Sequence, residues 1–298
     1  MVDRVRRFSR TVTQRLGVLD DAFLGRGRPL GQARLLWEIT PQGSEVRALR
    51  SRLGLDSGYL SRLLRTLEAQ GLVVVETHDD DGRVRVARLT PAGLAERAEL
   101  DRRSDDLAES ILAPLDTRQR ERLVCAMHEV ERLLVASQVR IDVTDPRHPD
   151  ARRCVQAYFA ELADRFDGGF DPAQSIPADD AELVLPAGLL LIAYLHDEPV
   201  GCGALKLHAD DGIAEVKRMW ISPRARGLGL GRRMLADLEA RARAHGIRTL
   251  RLETNRALGQ AIDLYRTAGY REVPAFNQEP YADHWFEKHL PAVEVSGG

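Results

Sequence analysis

The chain has 298 residues, 44% apolar and 30% charged, with a formal net charge of −2, a profile of a globular chain long enough for two ordinary cores rather than a disordered or strongly polyionic one. No stretch approaches the roughly 20 apolar residues of a membrane span, and Arg4, Arg6, Arg7 and Arg10 have no apolar run behind them as a secretory leader would. Cys125, Cys154 and Cys202 stand singly, without the spacing of a disulfide framework or a zinc site, so a cytoplasmic protein with no metal and no membrane attachment is expected.

Residues 1–137 read as helices interrupted once by a hairpin. Amphipathic segments are predicted over 3–23, 31–39, 44–53 and 56–70. Gly54 falls in the short connection between the last two, where a helix-turn-helix needs a residue tolerant of unusual backbone angles. Leu60, Leu63, Leu64 and Leu67 form the buried stripe of the last segment, which leaves Gly58, Ser61, Arg62 and Arg65 outward and Tyr59 at the edge. A helix face with two arginines and a serine is equipped to enter a major groove. Two β-branched runs, 72–77 and 83–89, then flank a polar tip that ends in Asp81-Gly82, a hairpin signal. Strand alternation puts Arg83 and Arg85 on one face, within reach of phosphates or the minor groove, and Asp81 is placed to orient Arg83. The bland alternative for each arginine is an ordinary solvated charge, and for Tyr59 plain packing. This half carries no lysine, but the arginine bias runs through the whole chain and carries little weight.

The string Asp81-Gly82-Arg83, followed by Leu89-Thr90-Pro91-Ala92-Gly93, resembles the wing and following helix start of MarR-family regulators, over about residues 5–137. The resemblance implies a winged helix-turn-helix that binds double-stranded DNA as a homodimer, with the first helix and further helices at 92–112 and 117–135 in the dimer interface.

A change of character near residue 138 marks the expected boundary between domains 1–137 and 138–298. A strand is predicted over 139–144, a helix over 150–166, and a glycine- and proline-rich loop over 167–177 of the kind that covers a substrate. Strands follow at 189–195, 200–207 and 213–221. The last runs directly into Arg226-x-x-Gly229-x-Gly231, with an extra Gly227, and then a helix from about Leu230 to His245. Glycines there let the backbone turn tightly and offer consecutive N–H groups, while the helix N-terminus points its partial positive charge at the same place. Residues Arg226, Gly227, Leu228, Gly229, Leu230, Gly231 and Arg232 are therefore candidates to cradle a pyrophosphate. A dinucleotide-binding fold also places such a turn between strand and helix. The surroundings differ from that pattern: a hairpin precedes the turn, and a strand over 249–253, Asn255 and the run from Ala261 to Tyr270 follow.

That order resembles the core motifs of the GNAT acyl-CoA N-acyltransferases, over roughly residues 140–290. The resemblance implies an α/β (α+β) domain with a central mixed sheet, acetyl-CoA as cosubstrate, and direct attack of an amine on the thioester. Met219, Trp220 and Ile221 sit where the pantetheine would pair with the strand, and Asn255 is placed to bond its amide chain. Glu215 occupies the family's frequent general-base position, with Glu253 the competing base and an ion pair with Lys217 or Arg218 the structural alternative. Tyr265, in Ala-Ile-x-Leu-Tyr-x-x-x-Gly-Tyr, matches the position whose phenol donates to the departing thiolate. Residues 277–285, with Tyr281, His284 and Trp285, are expected to line the acceptor pocket, and a small amine is favoured over a protein lysine by family analogy. The function expected is a DNA-binding regulator fused to a working N-acetyltransferase; a transcription factor whose second domain only senses acyl-CoA is the first alternative, and an enzyme whose winged helix serves dimerisation alone the second.

Overall fold

The computed structural model describes every residue except 19–21, 79–80, 177, 209–210 and 292–298, and the side chains of 78–83 also lie outside the described residues. Contacts divide the chain into two units, Met1–His128 and Glu129–Gly298.

The first unit contains α1 (Val2–Arg15), α2 (Leu30–Glu38), β1 (Ser44–Glu45), α3 (Val46–Leu53), α4 (Ser57–Ala69), β2 (Val73–His78), β3 (Asp81–Leu89), α5 (Pro91–Leu112) and the start of α6 (Thr117–Ser137). The helix predicted over 3–23 stops at Arg15, because Gly17 adopts a left-handed φ of 61° that no continuing helix permits. Gly54 closes α3 in the same conformation, φ 62°, and the Asp56 carboxylate opens α4 by accepting the Tyr59 backbone N–H at 2.8 Å. The antiparallel sheet has the order β1-β3-β2. Its strand β1, two residues and so too short to show a period, occupies the start of the segment where a helix is expected over 44–53, and the helix begins at Val46. Leu35, Leu36, Leu49, Leu60, Leu64 and Leu67 pack in one core, each worth roughly 1.5–3 kcal/mol of burial. On its edge the Glu96 carboxylate, 8% exposed, pairs with Arg26 and with Arg28 at 3.0 Å.

The second unit starts from the last turns of α6, which group with it rather than with residues before 129. Arg132 donates to the Gly227 carbonyl at 2.5 Å, and Arg233 to that of Ala136 at 3.2 Å. Then come β4 (Arg140–Val143), α7 (Pro149–Arg165), β5 (Gly188–Leu195), β6 (Glu198–His208), β7 (Ile213–Ile221), α8 (Leu230–Ala244), β8 (Thr249–Thr254), α9 (Gly259–Thr267), β9 (Arg271–Val273) and β10 (His284–His289). The sheet order is β4-β5-β6-β7-β8-β10-β9, antiparallel except for the parallel pair β7 and β8. Along β5, Leu189, Leu191 and Ala193 enter the core shared with α8, while Leu190, Ile192 and Tyr194 enter the core shared with α7. Both faces are covered, as the unbroken apolar run of this strand requires. Strands β9 and β10 were not predicted: only Phe286 of β10 is fully buried, and the flanking His284, Glu287, Lys288 and His289 mask it.

Two irregularities of β7 open the sheet. Its pairing with β8 runs only from Ile213↔Thr249 to Glu215↔Arg251, whereas its pairing with β6 continues to Ile221↔Gly201. The outer edge of residues 216–221 is thus left facing a gap. Between Lys217↔Ala204 and Trp220↔Cys202 the register shifts by one residue, and Arg218 takes φ 54°, a left-handed angle rare for a side chain of this size.

Candidate functional site

The gap beside β7 widens into a cavity of about 490 Å³, walled by Met219, Trp220 and Ile221 on one side and floored by the glycine turn. Gly227 and Gly229 have φ of 78° and 72°, and a Cβ on either would meet nothing within 4 Å. These positions are glycine for their backbone angle, and the space above them is open. Gly229 is also the N-cap of α8, with no side chain capping the helix, so the first-turn N–H groups have no side-chain acceptor. Backbone donors, a helix N-terminus and unfilled space are what a diphosphate group needs, and the residues present fit one.

Side chains around the turn divide in ways the motif could not show. Arg226 is turned toward α7, where its Nη2 lies 2.6 and 2.5 Å from the Glu161 carboxylate oxygens while its Nε donates to the Ile221 carbonyl at 3.1 Å. Arg165 and the Trp220 indole also bond Glu161, at 2.8 and 2.7 Å. Arg226 therefore ties the turn to α7. Leu228 does not line the cavity; its side chain packs on the core. Arg232 lines it and donates to Thr267 Oγ1 at 3.2 Å.

A second cavity of about 310 Å³ adjoins the first, and the two share Tyr158, Met219 and Tyr265 as a common wall. Tyr265 is 5% exposed. Burial, then the neighbouring Glu253 charge, push its phenol well above the ordinary range, and burial does the same to Tyr158. Both phenols keep their protons at neutral pH. Glu253 lines the second cavity and pairs with Lys217, whose ammonium also contacts Glu215 at 3.0 Å. Burial alone would lower the Lys217 pKa, but the two carboxylates outweigh it and hold the ammonium charged. Glu215 lines neither cavity, and its other oxygen contacts His208 Nε2 at 2.9 Å. Its burial would raise the carboxyl pKa, yet the charge of Lys217 and the bonds from Lys217 and His208 hold it below the ordinary value.

Asn255 lines the second cavity and not the first, and its amide is spent locally: Nδ2 donates to the Tyr281 carbonyl at 2.7 Å and Oδ1 accepts the Ala257 N–H at 2.8 Å. Tyr281 lines the second cavity, whereas His284 and Trp285 do not; they sit on β10, bonded to Glu272 at 2.6 Å and Asn277 at 2.8 Å. Lining residues that sequence reasoning missed include Tyr158, Phe159 and Arg218. The signal for Tyr158 and Phe159 was the aromatic density of the helix preceding the expected loop; Arg218 read only as one more strand charge.

On the first unit, α4 buries Leu60, Leu63, Leu64 and Leu67 and exposes Gly58, Tyr59, Arg62 and Arg65, with Ser61 half-buried. Arg62 lies over the Tyr59 ring at 5.7 Å. The Tyr59 hydroxyl packs over Gly31, where a Cβ would come within 2.8 Å, so this tyrosine both packs and shows a face. Arg85 is exposed on β3. Among the described residues no carboxylate pairs with Arg62, Arg65 or Arg85, whereas Arg88 on the same strand pairs with Glu76 at 3.6 Å. The side chain of Arg83 and the residues Asp79 to Asp81 around the wing tip lie outside the described side chains.

Comparison with known proteins agrees with these two architectures. The acetyltransferase (GNAT) family model matches residues 155–270, and the MarR family model matches residues 26–84. The chain is 38% identical over 141 residues to an IAA acetyltransferase of Azospirillum brasilense, covering 47% of this chain and 90% of that protein. It is 33% identical over 91 residues to an amino-acid acetyltransferase of Neisseria meningitidis, covering 30% of this chain but only 21% of that one. A solved GNAT-family acetyltransferase from Staphylococcus aureus superposes with a TM-score of 0.45 at 17% identity, covering 51% of this chain and 100% of that one. With a strand-turn-helix cradle, a splayed mixed sheet and a relative matched over nearly its whole length, the chain belongs to the GNAT acetyltransferase family, and it carries a MarR-family domain ahead of the enzyme fold.

Proposed function

We propose that the second unit transfers an acetyl group from acetyl-CoA to the amine of a small molecule, and that the first binds double-stranded DNA as part of a homodimer. The observation that carries the enzymatic reading is the pair of cavities meeting at Tyr158, Met219 and Tyr265. One has the backbone chemistry for a diphosphate; the other, of about 310 Å³, has the size of a small-molecule site and a carboxylate in its wall. When bound, acetyl-CoA supplies the activated acetyl group as a thioester. The Gly227 to Arg232 turn holds the diphosphate, and the free edge of Met219, Trp220 and Ile221 pairs with the amide chain. Glu253 accepts the proton of the incoming ammonium, directly or through one water, since it faces the acceptor cavity and Glu215 does not. Glu215 then positions Lys217, and Asn255 positions the loop of Tyr281. The protonated phenol of Tyr265 donates toward the leaving sulfur.

Arg62, Arg65 and Arg85, which pair with no carboxylate among the described residues, support the DNA reading. A second copy of the chain is the natural cover for α1, which buries no residue and exposes Val5 and Phe8, and for α6, which exposes Val124, Met127, Leu133 and Leu134. An acetylation screen of the full chain over amines and amino acids, read by free-thiol release, tests the enzyme. Acetyl-CoA binding without thiol release for any amine would sink turnover and leave only an acyl-CoA sensor.

A further inference from the structure

The acceptor cavity holds five charged side chains, and four are already occupied within the protein. Lys217 and Glu253 pair with each other. Glu279, 8% exposed, accepts from Ser175 Oγ at 2.9 Å, the Ile176 N–H at 2.7 Å and the Tyr281 N–H at 3.3 Å. The Asp179 carboxylate caps the helical turn Asp180–Leu183. Arg218 is the exception. Its guanidinium donates once, to the Ala178 carbonyl at 2.5 Å, and lies 5.8 Å from the centre of the Phe159 ring. Among the described residues no carboxylate is within ion-pair distance of it.

The backbone goes out of its way to put this side chain there. Consecutive residues of a regular strand face opposite sides of a sheet, yet Lys217, Arg218 and Met219 all line one cavity. The register shift and the left-handed φ of 54° at Arg218 make that possible. A guanidinium is always charged, has five N–H donors in a planar fork and is half-buried here with most of them unused among the described residues. Such a group is stabilised by a planar anion, and Arg218 lines only the acceptor cavity, away from the diphosphate cradle. Beside it stands an aromatic wall: Phe159, Phe166, Phe170 and Tyr281 contact one another, with ring centres 4.8 Å apart for Phe170 and Tyr281 and 5.5 Å for Phe159 and Phe170.

We propose that the acceptor is an α-amino acid with an aromatic side chain, its carboxylate held by Arg218, its amine presented to Glu253 and its ring packed against Phe170 and Tyr281. This rests on the reading of the second cavity as the acceptor site. It predicts that removing the carboxylate harms the substrate more than any change of ring.

The test uses the full-length enzyme, acetyl-CoA and free-thiol release, with L-phenylalanine and L-tryptophan set against phenethylamine and tryptamine, and against glycine, spermidine and a lysine peptide. The expected kcat/KM for each amino acid exceeds that of its decarboxylated amine by roughly 10²-fold or more, because a site built to bond a group rejects the analogue that lacks it. Arg218→Gln should erase most of that ratio, chiefly through KM, and Arg218→Lys should restore part of it. Were Arg218→Gln unable to fold, the wild-type ratio alone decides. A ratio near one, or a preference for glycine, spermidine or the peptide, overturns the proposal and leaves the transferase reading intact. Thiol release with none of the amines, in a protein that binds acetyl-CoA, overturns both.

Discussion

Replacing Tyr265 by Phe removes one oxygen atom and nothing else from the wall between the two cavities. The hydroxyl has no hydrogen-bond partner among the described residues, and the ring contacts Tyr270 and Phe286 at centre distances of 5.9 and 6.0 Å, which Phe retains. Folding stability should therefore stay within about 1 kcal/mol of wild type. Catalysis should not. A positioned proton donor contributes roughly 10²-fold or more, about 2.7 kcal/mol of barrier, and only in the transition state, so kcat falls by that factor while the KM for acetyl-CoA holds. Because burial pushes the phenol well above its ordinary range, the wild-type group keeps its proton from about pH 6 to 9, and the ratio of wild-type to variant kcat should be flat across that window. Steady-state thiol release with a saturating acceptor measures both constants, and a thermal melt confirms the fold. Wild-type kcat in Tyr265→Phe would reduce this residue to packing and move the search for the proton donor to Tyr158, the other protonated phenol on the shared wall.

Gly229→Val should raise the KM for acetyl-CoA at least roughly tenfold while costing the second unit only about 1–2 kcal/mol for its left-handed angle, since a Cβ there meets no protein atom; unchanged affinity removes the cradle. Arg62→Ala and Arg65→Ala should each lose about 1–3 kcal/mol of base discrimination, whereas Arg85→Ala should weaken binding to all sequences and flatten its salt dependence; a footprint without two-fold symmetry would count against the dimer. Glu96→Gln should destabilise the first unit by about 1–3 kcal/mol at pH 7. The Arg26 hydrogen bond and the two arginine charges hold the Glu96 carboxyl low against its burial, so the stabilisation is complete above the unfolded value of about 4.3 and is lost as pH falls through the folded one. Melting curves of the variant and wild type should converge in acid, and a constant gap would mean that charge is not what Glu96 contributes.

Read from residues alone, the chain already declares two domains, a winged helix and a mixed-sheet acyltransferase. The leucines of α4, the Asp-Gly hairpin tip and the glycine turn ahead of α8 are local features, and local sterics, capping and periodicity decide them. The strand predicted over 213–221 is β7 to the residue for that reason. What local reasoning missed depends on partners distant in sequence. The polar strand β10 exists because β8 offers it a ladder from Thr249 to Thr254, and His284 and Trp285 go with it and line neither cavity. Motif position nominated Glu215 over Glu253. The paths of β7 and β8 beyond Glu215 put Glu253 in the cavity wall and leave Glu215 behind Lys217. Arg218 reads in sequence as one more strand charge, and only a one-residue shift against β6 turns it inward beside the aromatic rings. A side chain's identity is written locally, but the direction it faces is set by pairing between strands, and that pairing exists only once the sheet is assembled.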